Sequence, residues 1–208
     1  MSKRKYDPRA CVVFRRTRDE FGALSNMAAG FPLIVNAVRV RSSEALYQSF
    51  RFPHLPELQR EILDQRSPMS AKMKSRRYRD QTRSDWTEVR VNAMRWCLRL
   101  KFGQHRDTFG ALLLSTADRP IVEYSRRDAF WGAKPTAEGL LAGTNALGRL
   151  LAELRSEVRD HPECTYGRIG SPAVPNALFL AEPLTGVSYE RARKEAAAQM
   201  RLPLTETH

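Results

Sequence analysis

Ser84-Asp85-Trp86-Thr87-Glu88-Val89-Arg90-Val91-Asn92-Ala93-Met94-Arg95-Trp96-Cys97-Leu98-Arg99-Leu100-Lys101-Phe102 carries the clearest helical period in the chain. Trp86, Val89, Ala93, Cys97 and Leu100 recur at three- and four-residue steps, which gathers them on one face of an α-helix. Ser84 reads as the N-cap, and Asp85 and Glu88 stand where acidic side chains favour a first turn. A helix of this length with an apolar stripe is a core element, and the rest of the chain is expected to fold around it.

Upstream, Cys11-Val12-Val13-Phe14 reads as a short strand, and Phe21-Gly22-Ala23-Leu24-Ser25-Asn26 as a loop. Phe31 to Val35 and Val38 to Val40 flank Asn36-Ala37, a weak hairpin signal because the second turn residue is not Gly. A small sheet is expected here. From Ser43 the period becomes helical, with Leu46, Phe50 and Phe52 on one face until Pro53 and Pro56 interrupt it. A second helix over 57–66 turns Leu58, Ile62 and Leu63 inward. Ser67-Pro68 fits an N-cap followed by Pro at the first helical position, so a short helix bearing Lys72 and Arg76 follows.

Downstream, 109–114 continues the helical pattern, Pro120-Ile121-Val122-Glu123-Tyr124 returns to a strand, and 128–143 reads as a long Gly/Pro-containing loop. A last helix over 145–158 buries Leu147, Leu150, Leu151, Leu154 and Val158. The organisation expected is a basic segment 1–10, a domain over 11–158, and an extension over 159–208. That extension opens with a Pro/Gly-rich linker and carries a helix over 189–201.

Composition narrows the function. The 208 residues include 35 Lys+Arg against 23 Asp+Glu, a net charge of +12, which points to an anionic substrate or a polyanionic partner. Residues 66–106 alone hold twelve basic and three acidic side chains. Most of the basic ones are Arg, whose planar fork grips phosphate oxygens in pairs. No apolar run approaches the roughly 20 residues that span a bilayer, and the basic N-terminus has no apolar stretch behind it, so a cytoplasmic protein without a membrane partner is expected. Three scattered cysteines build neither a disulfide framework nor a CxxC site, and the four histidines form no HExxH pattern.

Polar residues at element starts and in loops are the chemical candidates. Glu44 stands in the first turn of a helix, where it either complements the helix dipole or does chemistry. Asp128 and Trp131 lie in Asp128-Ala129-Phe130-Trp131-Gly132. There the aromatics either staple the loop to the core or offer a face for a nucleobase.

Phe21-Gly22-x-Leu24-Ser25-Asn26-Met27, Ser43-Glu44-Ala45-Leu46-Tyr47-Gln48, Ser67-Pro68-Met69, Asp85-Trp86, Lys101-Phe102, Glu123-x-Ser125-x-x-Asp128-x-Phe130-Trp131-Gly132 and Gly143-x-Asn145-x-Leu147-Gly148-x-Leu150-Leu151 occur in that order. Together they resemble the NADAR, or YbiA-like, N-glycosidase family from about Val12 to about Val158. The resemblance implies a compact, mainly helical α+β domain with a small β-sheet that hydrolyses N-glycosidic bonds without a metal or other cofactor. YbiA-type members cleave phosphoribosylamino intermediates of riboflavin synthesis. Others remove ADP-ribose from guanine in DNA as antitoxins to a DNA ADP-ribosyltransferase.

Where the YbiA type has Glu-His, Gly-Arg and Lys-Phe, this chain has Glu44-Ala45, Ser75-Arg76 and Arg51-Phe52. Phe31-Pro32-Leu33-Ile34-Val35-Asn36, Arg51-Phe52-Pro53-His54, Ala71-Lys72-Met73-Lys74-Ser75 and Trp131-Gly132-Ala133-Lys134-Pro135 look closer to the toxin-associated members. The expected partners are therefore ADP-ribosylated DNA, the ADP-ribose product and a cognate toxin. The alternatives are a riboflavin-type glycosidase, a silent ADP-ribose or DNA-binding module, and an antitoxin that acts only by binding the toxin.

Cleaving C1–N of a ribose passes through an oxocarbenium-like state that a carboxylate stabilises. The resemblance assigns that carboxylate to Glu44, with Asp128 as a second. It gives Lys72 and Arg76 the diphosphate, Asn26 and Asn145 the hydroxyl or phosphate oxygens, and Trp86 and Trp131, with Gly132, the base or sugar. Lys101 and Lys134 are candidates to trap a ring-opened sugar as an imine.

Overall fold

The computed structural model describes residues 1–161 and 168–188. Its first half runs β1 (Arg4–Tyr6), β2 (Val12–Phe14), β3 (Leu33–Val35), β4 (Val38–Val40), α1 (Ser43–Ser49), α2 (Pro56–Leu63), α3 (Pro68–Arg77) and α4 (Trp86–Gln104). A π-helical turn (Arg106–Gly110) then leads through α5 (Ala111–Ser115), β5 (Ile121–Glu123), β6 (Lys134–Pro135) and β7 (Leu141–Gly143) to α6 (Ala146–Asp160). Four short strands follow, β8 (Arg168–Ile169), β9 (Leu178–Phe179), β10 (Glu182–Pro183) and β11 (Val187–Ser188). The fold is α+β, with helices around α4 and strands paired in small sheets.

The core forms where the apolar periods meet. Ala93, Cys97 and Leu100 of α4 are fully buried, and they join Leu46 and Phe52 from α1 and its exit and Leu147, Leu150 and Leu151 from α6 in one cluster. Helix α3 starts as its sequence predicts: Ser67 Oγ accepts from Ser70 N at 3.0 Å, Ser67 N donates to Ser70 Oγ at 3.1 Å to complete a capping box, and Pro68 takes the first helical position. The hairpin over 33–40 also forms, with Leu33 opposite Val40 and Val35 opposite Val38. Asn36 and Ala37 have φ of 46° and 62°, so an alanine sits where this turn favours glycine.

Several expectations need correction. Ser84 is not the cap of α4; Asp85 occupies that position and its carboxylate is taken by Arg83 at 2.5 and 2.9 Å, so no side chain caps the helix. The stretch 128–143 is not one loop but carries β6 and β7, in a three-stranded sheet ordered β1-β7-β6. Arg4–Tyr6, set apart above as a basic segment, is the edge strand of that sheet and pairs antiparallel with Leu141–Gly143. The strand at 121–123 pairs in parallel with β2, so the single small sheet expected is several among the described residues.

Beyond residue 161 the described part of the extension is docked on the core. Ile169, Val174, Phe179 and Leu184 are buried in it, and the Trp96 indole donates to Gly170 O at 2.8 Å. Gln59 Nε2 donates to both Ser49 O at 3.0 Å and Leu178 O at 2.9 Å. The helix expected over 189–201 lies outside the described residues. No described helix is long and apolar enough to cross a membrane.

Candidate active site

Helices α1, α3 and α4, the end of β5 and the two loops around Asn26 and Trp131 enclose a cavity of about 300 Å3. Its walls include seven of the residues singled out from sequence: Asn26, Glu44, Lys72, Arg76, Trp86, Asp128 and Trp131. They arrive from five separate segments, the Asn26 loop, α1, α3, α4 and the Trp131 loop, so the site exists only in the folded chain.

Glu44 is 4% exposed and held from both sides. Its Oε2 accepts from Asn26 Nδ2 at 2.6 Å and its Oε1 from Gln48 Nε2 at 2.8 Å, one turn further along α1. Asn26 Oδ1 is buried with no hydrogen-bond partner among the described residues, an acceptor that a ligand hydroxyl would satisfy. Gln48 is fixed in turn by the Ser75 hydroxyl of α3, and Arg51 donates to Ser75 Oγ at 3.3 Å and to Thr82 Oγ1 at 2.8 Å. A hydrogen-bonded chain therefore runs from the loop at Asn26 through Glu44 and Gln48 to α3.

Glu123 closes the opposite wall at the end of β5. Burial, reinforced by the negative charge of Asp128 and opposed by Lys72, raises its carboxyl group to about 7. Asp128 spends Oδ1 on the loop, accepting from Phe130 N at 2.8 Å and Trp131 N at 2.9 Å. The carbonyls of Phe130 and Trp131 then receive the first amides of α6, from Ala146 at 2.8 Å and Leu147 at 3.0 Å. The Trp131 loop is thus clamped at both ends. Tyr47 stands between the two tryptophans, with ring centroids 5.2 Å from Trp86 and 5.6 Å from Trp131.

Lys72, Arg76 and Arg79 border the opening, with Arg51 and Arg90 deeper. None of the five is ion-paired among the described residues. Burial lowers the pKa of Arg51, and an anion in the cavity would offset that cost. Arg90 lies over the Phe130 ring at 3.7 Å. The combination is three carboxylates, five cations and two indoles around one space.

Four predicted residues lie elsewhere. Asn145 is fully buried in a left-handed conformation, its Nδ2 donating to Ile121 O at 2.8 Å and its Oδ1 accepting from Glu123 N at 3.1 Å, so it ties α6 to β5 and holds Glu123 in place. Lys101 is also buried, donating to Ala23 O at 2.7 Å and Ser25 O at 3.0 Å between the rings of Phe31 and Phe109. It supports the loop that carries Asn26 rather than lining the cavity. Lys134 is exposed on β6. Gly132 allows a close approach, since a Cβ there would stand 2.5 Å from Glu123 O.

Glu123, Tyr47, Gln48, Arg51, Arg79 and Arg90 were not singled out for the site. Two of them had a readable signal: Gln48 is four residues from Glu44 and Arg90 four from Trp86, the spacing of one helical face.

Residues 13–159 match the NADAR domain model. The N-glycosidase YbiA of Escherichia coli (strain K12) is 38% identical over 148 residues, covering 71% of this chain and 88% of that protein. A riboflavin biosynthesis protein of Vibrio vulnificus, VVA0006, is 37% identical over 152 residues, which span 72% of this chain and 39% of that longer protein. The NMR structure of the E. coli YbiA superposes with a TM-score of 0.62 at 33% identity, over 76% of this chain and 88% of that one. Fold, motif order and these similarities agree: the chain belongs to the NADAR family, the family of the N-glycosidase YbiA.

Proposed function

We propose that the cavity hydrolyses the N-glycosidic bond between C1 of ADP-ribose and the exocyclic amine of guanine in DNA, and that the chain acts as antitoxin to a DNA ADP-ribosyltransferase. The observation that carries this reading is the pairing of a pinned carboxylate, Glu44, with five cations around one cavity that have no ion-pair partner among the described residues. A ribose monophosphate needs fewer cations. A diphosphate with flanking DNA phosphates offers more anionic oxygens to such a set, and the net charge of +12 accords with that substrate.

In the reaction, water attacks C1 while the C1–N bond breaks and its electron pair goes to the guanine amine. Glu44, oriented by Asn26 and Gln48, balances the positive charge developing on the sugar and takes the proton from water. Glu123, protonated below about pH 7, donates its proton to the departing nitrogen. Asn26 Oδ1 accepts from a ribose hydroxyl, Arg76, Arg79 and Lys72 hold the diphosphate, and the indoles of Trp86 and Trp131, on either side of Tyr47, offer faces to a base or sugar. The products are ADP-ribose and unmodified guanine.

The name of the Vibrio relative favours a second reading, hydrolysis of a phosphoribosylamino intermediate of riboflavin synthesis. The two are separated by incubating the protein with an oligonucleotide bearing ADP-ribosylguanine and, in parallel, with a phosphoribosylaminouracil, and following both by mass spectrometry. The first reading expects free ADP-ribose and restored oligonucleotide while the uracil compound persists. Consumption of the uracil compound with intact modified DNA overturns it.

A further inference from the structure

Helix α3 carries an unusual stripe. Met69, Lys72, Met73 and Arg76 follow i, i+3, i+4, i+7 spacing and share one face. Ala71 and Ser75, on the other side, are fully buried. Lys72 and Arg76 line the cavity, yet Met69 and Met73 are 58% and 49% exposed. Among the described residues only Met1 and Leu114 are other large apolar side chains so exposed, and neither lies on this helix. Residues 66–79 contain six basic side chains and no acidic one, and Arg66, Arg76, Arg77 and Arg79 are exposed. A methionine pair embedded in that charge calls for a partner that offers anions and apolar faces side by side. It suits a nucleic-acid strand, which offers phosphates and base faces together.

We infer that Met69 and Met73 form a wedge that enters the base stack of a DNA strand at the mouth of the cavity. Four residues of helix advance about 6 Å, close to two base spacings of about 3.4 Å each along a strand. A base whose exocyclic amine must reach Glu44 has to leave its stack, and apolar wedges fill such gaps in other DNA-binding proteins. Arg77, exposed at the end of the same helix and outside the cavity lining, contacts a flanking phosphate. This inference deepens the DNA reading above, but it concerns binding to unmodified strands and needs no bond cleavage.

The test is fluorescence anisotropy of the full chain with an unmodified single-stranded 12-mer, read across a salt series, for wild type, M69S/M73S and R77A. The expected result is that M69S/M73S binds about tenfold more weakly with an unchanged salt slope. R77A is expected to lower the slope of log K against log salt by about 0.7, the share of one phosphate on a single strand. Both exposed substitutions should leave the thermal midpoint unchanged, and turnover of free ADP-ribosylated guanosine by M69S/M73S should equal wild type. That arm keeps a failed wedge distinct from a failed glycosidase. Wild-type DNA affinity in M69S/M73S, or no DNA binding by the wild type, overturns the inference. Tighter capture of an acidic polypeptide than of DNA, lost in M69S/M73S, also overturns it and assigns the face to a protein.

Discussion

Glu123 is the residue whose chemistry depends most on where the chain puts it. On a free peptide its carboxyl group would be ionised at neutral pH; largely withdrawn from water and beside Asp128, it keeps its proton up to about 7. Its folded pKa exceeds the unfolded one, so its contribution to stability is complete below about 4.5 and is lost as pH rises through 7. As proton donor it requires the same protonated form. The account therefore expects kcat/KM to fall about tenfold per pH unit above 7, and Glu123→Gln to give a low rate with no such limb. A wild-type profile flat to pH 9 would remove Glu123 from that role.

Lys101 has the opposite sign. Burial draws it down to about 7, so the unfolded chain holds more protons between 7 and 10.5 and stability rises with pH across that window. Lys101→Met lacks this dependence, and urea titrations should show wild type gaining on the variant from pH 7 to pH 10. An equal gap at both pH values would mean that the amine is not so perturbed.

At the scale of elements, turns and close approaches are where local sequence and packing disagree. Ala37 holds φ of 62° in the β3–β4 turn, a conformation that costs a non-glycine residue about 1–2 kcal/mol. Ala37→Gly should therefore stabilise the protein, by about 0.5–1 kcal/mol after the added chain entropy. Gly148 is the converse: a Cβ there would sit 2.0 Å from Ile121 O and 2.6 Å from Asn145 Nδ2. Gly148→Ala should cost about 1–3 kcal/mol as α6 moves off β5, and it should lower turnover too, because Asn145 holds the Glu123 backbone. Unchanged melting of this variant would contradict the packing described.

The helices were legible because their apolar residues recur with a period that one segment displays alone. The strands of the β1-β7-β6 sheet were not, since each has two or three residues and β1 pairs with β7 across more than a hundred positions in sequence. The cap of α4 was misplaced because Arg83 captures Asp85, a contact that spacing does not reveal.

Across the whole molecule, motif order pointed to the candidate site and seven side chains converge there, but motifs did not separate residues that line the cavity from those that hold the lining in place. Asn145 and Lys101 belong to the second kind because both spend their polar atoms on backbone. The described part of the extension is bound to the same core. Truncation after His161 removes four buried apolar side chains and the Trp96–Gly170 bond. It should cost at least about 2 kcal/mol, read as a thermal midpoint lower by about 4–8 °C; an unchanged midpoint would show that the extension adds nothing.

The account as a whole rests on Glu44 acting on a glycosidic carbon while the surrounding cations hold the nucleotide. The direct measurement is single-turnover release of ADP-ribose from ADP-ribosylguanine DNA by wild type and Glu44→Gln, with ADP-ribose affinity measured alongside. The account predicts a loss of at least about a hundredfold in rate with affinity retained within a few-fold; wild-type turnover by the variant would contradict it.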